Sequence, residues 1–128
     1  MNETVKEWIE KAEGDYCTAG REFAVTERPN YDAVCYHAQQ CIEKLMKGLL
    51  IHYGVVPPWV HDLTELHRLL APRCPEWACD VEELRFLSQG GVGFRYPGES
   101  ADREEASEAF GICTKVRGKL LSLFEGAP

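Results

Sequence analysis

Apolar residues recur every three or four positions along most of this chain, which is the period of an amphipathic α-helix. The first such segment runs from about Thr4 to Val25, and the spacing of Thr4 and Glu7 predicts a capping box at its start. Its apolar stripe consists of Trp8, Ile9, Ala12, Tyr16, Ala19 and Phe23. Pro29 and Asn30 mark its end, because proline disfavours helical geometry in the residue before it and asparagine suits the next N-cap.

The second segment, from Tyr31 to Tyr53, has the widest apolar face of the chain. That face consists of Val34, Cys35, Ala38, Cys41, Ile42, Leu45, Met46, Leu49 and His52. An arc this broad predicts a central helix with neighbours on two sides. Gly54 and the proline pair at 57–58 are predicted to end the helix.

Three more helices are predicted after this point. Asp62 caps a short one that stops at Ala71–Pro72, a fourth spans about residues 76–88, and Ser100 caps a long helix that continues to the end of the chain. No segment alternates between apolar and polar residues for long enough to predict a strand. The chain is therefore predicted to be a single all-α domain, an up-and-down bundle of about five helices.

Composition and charge narrow the classes of function. The 128 residues carry a formal net charge of −7, so the molecule as a whole repels phosphate backbones and no extensive nucleic-acid surface is expected. Any phosphate contact must come from a local basic cluster. No apolar stretch is long enough to span a membrane, and the start of the chain lacks the features of a secretory signal. We therefore expect a cytoplasmic protein without membrane contact.

The six cysteines include no C-x-x-C pair, so we expect reduced, mostly structural thiols. Cys74, Cys79 and His67 are conceivable metal ligands, but the spacing of the two cysteines is generic and a fourth ligand is not evident. No metal and no cofactor are predicted.

A polar strip follows one side of the second helix. His37, Gln40, Lys44 and Lys47 are separated by three, four and three residues, which places them beside the apolar face. Two ammonium groups, an amide and an imidazole are suited to grip a phosphate or a nucleobase. The alternative is that Lys44 and Lys47 only solvate the exposed side of a core helix.

The glycine-rich segment before the last helix holds a second candidate pair, Arg95 and Tyr96. A guanidinium binds phosphate or carboxylate bidentately, and a phenol ring stacks on a base. The alternative interpretation is that Arg95 forms an ion pair with a carboxylate of the first helix such as Asp15. The glycines do not have the spacing of a phosphate-binding loop. His61 and Asp62 are interpreted as loop packing and a helix cap, respectively.

Four fragments together resemble the ordered landmarks of the HEPN (higher eukaryotes and prokaryotes nucleotide-binding) domain family, and they span nearly the whole chain. They are Trp8-Ile9-x-x-Ala12-x-x-Asp15, Tyr36-His37-Ala38-Gln39-Gln40-x-x-Glu43-Lys44-x-x-Lys47-x-Leu49-Leu50, His61-Asp62-Leu63 and Arg95-Tyr96-Pro97. The resemblance implies a helical bundle that binds a nucleotide or nucleotide-like ligand and commonly forms a homodimer. Many members of the family are partnered with a small nucleotidyltransferase, so the resemblance also implies such a partner.

One departure from that family concerns catalysis. Several branches are ribonucleases that use an Arg followed, after four to six residues, by a His. Arg95 lies where that Arg is expected, but positions 100–102 are Ser100, Ala101 and Asp102. The general base is therefore absent, and we expect a non-catalytic module. The alternatives are a ribonuclease toxin with a degenerate site and a dimerisation scaffold without a ligand.

Overall fold

A computed structural model describes residues 1–90 and 97–126. In these residues the chain forms five α-helices and no strand: α1 (Glu3–Ala24), α2 (Tyr31–His52), α3 (Leu63–Leu70), α4 (Val81–Gly90) and α5 (Arg103–Gly126). The predicted all-α class is confirmed. None of the described helices is long and apolar enough to cross a membrane.

Helix α2 is the centre of the bundle and packs against each of the other four helices. The predicted apolar face is buried, with Val34, Ala38, Cys41, Leu45 and Leu49 fully removed from solvent. The prediction of a central helix is therefore confirmed. Because its apolar residues are covered within one chain, α2 leaves no broad apolar face exposed in the described residues.

Helix α1 runs antiparallel to α2 and approaches it closely at Gly48. A Cβ atom added at Gly48 would lie 3.0 Å from Cβ of Trp8 and 3.5 Å from Cζ of Phe124. Further along the pair, Asp15 of α1 meets residues near the start and middle of α2. The absence of a side chain at Gly48 therefore sets the distance between the two long helices.

Side-chain caps define most of the helix boundaries, and two of the predicted caps are wrong. Asn30 and Asp62 cap α2 and α3 as predicted. Helix α1, however, is capped by Asn2, whose Oδ1 accepts the backbone N–H of Val5 at 2.7 Å, so Thr4 lies inside the helix. An asparagine at the N-cap satisfies that donor without a capping box.

Helix α5 begins after Asp102 rather than after the predicted Ser100. Asp102 Oδ1 accepts the N–H of Glu105, and the N–H of Ala101 is taken by the carboxylate of Asp32 at 2.7 Å. This long-range bond ties Ala101 to the first turn of α2. Asp102, and not Ser100, therefore supplies the side-chain cap of α5.

Helix α4 begins at Val81, five residues later than predicted. Asp80 caps it, since its Oδ1 accepts the N–H of Glu82. Trp77 precedes the helix in a turn closed by a bond from its N–H to the Cys74 carbonyl, yet it is buried in the core. Trp77 is therefore buried from a turn and not from the helix that its apolar spacing predicted.

Candidate functional site

Asp15 joins α1 to two residues of the polar strip. Its carboxylate is 10% exposed and lies between Nδ1 of His37, 2.7 Å from Oδ1, and Nζ of Lys44, 2.6 Å from Oδ2. His37 and Lys44 are seven residues apart, which is two helical turns, so both can reach one carboxylate on the facing helix. Each oxygen of Asp15 is therefore occupied by a donor from α2.

Glu43 organises a second and more buried cluster. The Glu43 and Lys47 side chains are 6% and 9% exposed, and Nζ of Lys47 lies 3.0 Å from Oε2. Oε1 accepts from Nε2 of Gln39 at 3.0 Å and lies 3.1 Å from Nδ1 of His61. Gln40 donates to the Gln39 side-chain oxygen at 2.9 Å and completes the network.

The environment of Glu43 acts on its pKa in two opposing ways. Burial works to raise it, but the hydrogen bonds from Gln39, Lys47 and His61, together with the Lys47 charge, outweigh burial and hold the pKa below its usual value of 4.5. Glu43 is therefore an ionised carboxylate in the protein interior. Gln39 also donates to the His61 carbonyl at 2.9 Å, so the same network fixes the segment that leads into α3.

The four strip residues thus separate into two groups. His37 and Lys44 bind Asp15, whereas Gln40 and Lys47 belong to the Glu43 network. Lys44 is 27% exposed, so its ammonium can still meet a ligand, whereas Lys47 is almost enclosed. The alternative interpretation, in which both lysines only solvate the exposed side of the helix, is therefore wrong for Lys47.

Arg95 and Tyr96 lie outside the described residues, so their role as candidate ligand-binding residues stays a prediction. So does the alternative ion pair between Asp15 and Arg95. Among the described residues, the two oxygens of Asp15 are bound by His37 and Lys44. The buried polar groups that sequence reasoning gave no role are Gln39 and Glu43. Their spacing with Lys47, four residues at each step, is the signal that could have found them.

An opening of about 250 Å³ lies beside the Asp15 cluster. It is lined by Glu7, Trp8 and Lys11 of α1 and by Lys44 of α2. Trp8 is partly buried, while Glu7 and Lys11 are exposed. Neither of these two charges has an ion-pair partner in the part of the chain that the structure describes. Two ammonium groups, an aromatic ring and a carboxylate therefore face one small cavity.

The sulfur and imidazole groups near α3 form a packed contact. Nε1 of Trp77 donates to Nδ1 of His67 at 2.7 Å, and Sγ of Cys79 lies 3.4 Å from the same nitrogen. Burial is the main cause that raises the pKa of the Cys79 thiol. Across residues 1–90 and 97–126, no three His, Cys, Asp or Glu side chains are placed to hold a metal ion.

Comparison with known proteins gives a consistent result. The family model described as the HEPN domain matches residues 5–123. A crystal structure of a protein from Thermus thermophilus is 25% identical, covers 92% of this chain and 96% of its own chain, and superposes with a TM-score of 0.77. A crystal structure of an archaeal HEPN homologue is 21% identical over 93% and 96% of the two chains, with a TM-score of 0.71, and shows the same fold. No curated protein matches this chain.

Proposed function

Since this chain belongs to the HEPN domain family, we propose that it is a non-catalytic module that binds a nucleotide or nucleotide-like ligand. The observation that carries the proposal is the position of Lys44. Its ammonium is held by Asp15 on one side and lines the cavity that also contains Trp8 and Lys11. A pre-positioned cation next to an aromatic ring suits a ligand that has both a phosphate and a base.

The charge of the molecule limits where an anionic ligand can bind. The chain has 21 acidic and 14 basic side chains, so an anionic ligand is repelled by most of its surface. Lys11 and Lys44 bring two positive charges to one opening, and the carboxylates next to them are Glu7 in the lining and Asp15, which pairs with Lys44 at 2.6 Å. In the proposal, Arg95 adds a third positive charge from the segment before α5.

Truncating Lys44 is expected to weaken nucleotide binding roughly tenfold or more, because one charge-assisted contact is lost. Calorimetric titration of ATP, GTP and dinucleotides into the wild type, Lys44→Ala and Arg95→Ala measures this. Lys115→Ala is a matched control, since that exposed lysine pairs with Glu83 far along the chain from the strip. Equal binding by all variants would place the site elsewhere. Absence of binding below millimolar concentration would favour the scaffold alternative.

We expect no RNA cleavage by the purified protein. The Arg95 segment lacks the histidine that would act as general base, and no histidine elsewhere in the chain has an arginine at the required spacing. Incubation with structured and single-stranded RNA, with and without divalent metal, checks this. Specific cleavage that disappears in Arg95→Ala would instead support the ribonuclease alternative.

The module is further proposed to act as a homodimer that is accessory to a small nucleotidyltransferase. Family membership supports both parts of this proposal. Sedimentation at micromolar concentration is expected to show one species of about 29 kDa, twice the 14.5 kDa of the chain. A stable monomer under these conditions would remove the dimer from the proposal.

A further inference from the structure

We propose that the cavity beside Asp15 binds a single nucleoside monophosphate whose base carries an exocyclic amine. This inference rests on the proposed function and specifies its ligand. The cavity is formed by Glu7, Trp8, Lys11 and Lys44. Only Lys44 belongs to the polar strip of α2, and the other three residues come from α1.

The size of the cavity sets the first limit on the ligand. Its volume of about 250 Å³ lies just below the roughly 300–1,000 Å³ of sites for drug-sized molecules. One base with its sugar and phosphate matches this size, so a mononucleotide is the ligand of the proposal.

The order of charged residues along α1 determines the orientation of the ligand in the cavity. Glu7 and Lys11 are four residues apart, so their side chains follow one another by about 6 Å along the same helix face. Lys44 approaches from α2 while bound to Asp15, which lies one further turn along α1. The Glu7 carboxylate therefore stands at one end of the opening, and Lys11 and Lys44 stand toward the other end, where Asp15 is paired with Lys44.

Each chemical group of the ligand then has a counterpart. The phosphate binds the ammonium groups of Lys11 and Lys44, and the base stacks on the ring of Trp8. The Glu7 carboxylate can accept hydrogen bonds but cannot donate them. It therefore recognises a donor such as the exocyclic amine of adenine or cytosine and disfavours a carbonyl in that position.

Two structural features hold these groups in advance of binding. Trp8 packs against the backbone of α2 where Gly48 leaves space for it. Lys44 is oriented by the carboxylate of Asp15 at 2.6 Å, and the second oxygen of Asp15 is engaged by His37. Because the base of the Trp8 side chain is packed and the Lys44 ammonium is paired before binding, less conformational entropy is lost when the ligand binds.

Titration of the full chain with AMP, inosine monophosphate, CMP and UMP tests the inference. AMP is expected to bind at least about fivefold more tightly than inosine monophosphate, in which a carbonyl replaces the amine, and CMP likewise more tightly than UMP. Glu7→Gln should erase this preference, because an amide can face either group. Lys11→Gln should weaken all four ligands roughly tenfold, whereas Lys6→Gln, another exposed lysine of α1, should not.

Stacking is tested separately. Trp8→Leu should weaken AMP about fivefold or more, and Trp8→Phe should keep most of the affinity, which separates loss of stacking from loss of fold. Equal binding of AMP and inosine monophosphate, or wild-type affinity in Lys11→Gln and Trp8→Leu, overturns the inference. If Lys44→Ala still weakens ATP in that case, the proposed function stands without it. Failure of every nucleotide to bind overturns both.

Discussion

Replacing Glu43 with alanine is expected to lower the free energy of unfolding by about 3–5 kcal/mol, the cost of leaving a buried charge without its partner. The Lys47 side chain is 9% exposed, and its ammonium has the Glu43 carboxylate as its ion-pair partner at 3.0 Å. The change also removes the acceptor of Gln39 and the contact of His61. Denaturant unfolding of the wild type and the variant measures the difference.

Two controls separate the charge from the packing. The double variant Glu43→Leu with Lys47→Met removes both charges and is expected to regain most of the lost stability, because an apolar pair of similar volume is often neutral in such places. Glu65→Ala breaks the exposed pair with Arg68 and should cost less than about 1 kcal/mol. If Glu43→Ala costs no more than Glu65→Ala, the buried network is not important for stability.

The pH dependence of this effect has a defined sign. Because the pKa of Glu43 is lowered in the folded state, its stabilising contribution is fully present above 4.5, the ordinary value, and is lost as the pH falls through the lower folded value. The stability gap between the wild type and Glu43→Gln should therefore stay constant near neutral pH and narrow below pH 4.5. A gap that widens in acid would contradict this assignment.

Replacing Gly48 with leucine is the second change expected to have a large effect, lowering the free energy of unfolding by about 3 kcal/mol. The first added carbon would already lie 3.0 Å from Cβ of Trp8, and the rest of the side chain would collide with Trp8 and Phe124. Helices α1 and α2 would have to separate at their closest point. Thermal or denaturant unfolding reports the loss.

Substitution of a glycine in the facing helix α1 is expected to raise the stability of the protein. Gly14 of α1 has no atom within 4 Å of a built Cβ, so Gly14→Ala should raise stability by about 0.5–1 kcal/mol through helix propensity. Gly48→Ala should fall between these cases, since its helix propensity gain is offset by the tight contact. Stabilisation by Gly48→Leu would show that the helices are not closely packed there.

The long helices could be predicted from the sequence because their apolar periodicity is continuous and their burial follows it. Helix α2 is the clearest case, since its start at Tyr31 and its N-cap at Asn30 agree with the prediction. Local rules were less successful at the start of α5, where Ser100 and Asp102 are both suitable caps. Asp102 caps the helix, whereas the N–H of Ala101 bonds to Asp32, 69 positions away, and no local pattern shows such a contact.

The candidate site was only partly predictable for a related reason. Helical spacing correctly placed His37, Lys44 and Lys47 near one another on one helix. It could not show that His37 and Lys44 meet Asp15, because that carboxylate comes from another helix. Spacing alone also favours an exposed Lys47, but this side chain reaches Glu43 one turn before it and is nearly enclosed. Tertiary packing, and not spacing, determines which strip residues remain open to a ligand.

The three tryptophans of the chain occupy three different environments. Trp59, in the connection between α2 and α3, is fully exposed, Trp77 is only 6% exposed, and Trp8 is intermediate beside the cavity. An indole in water emits at longer wavelength than one in the apolar interior, so the emission spectrum of the native protein is a superposition of distinct bands.

The emission of the exposed tryptophan can be removed by substitution. Replacing Trp59 with phenylalanine removes the water-exposed emitter without disturbing a buried contact, since its side chain touches only solvent at full exposure. In that background a change near the cavity is reported by Trp8 and a change in the core by Trp77. The fold thus contains its own pair of optical reporters, which can follow ligand binding and unfolding in one sample without an attached dye.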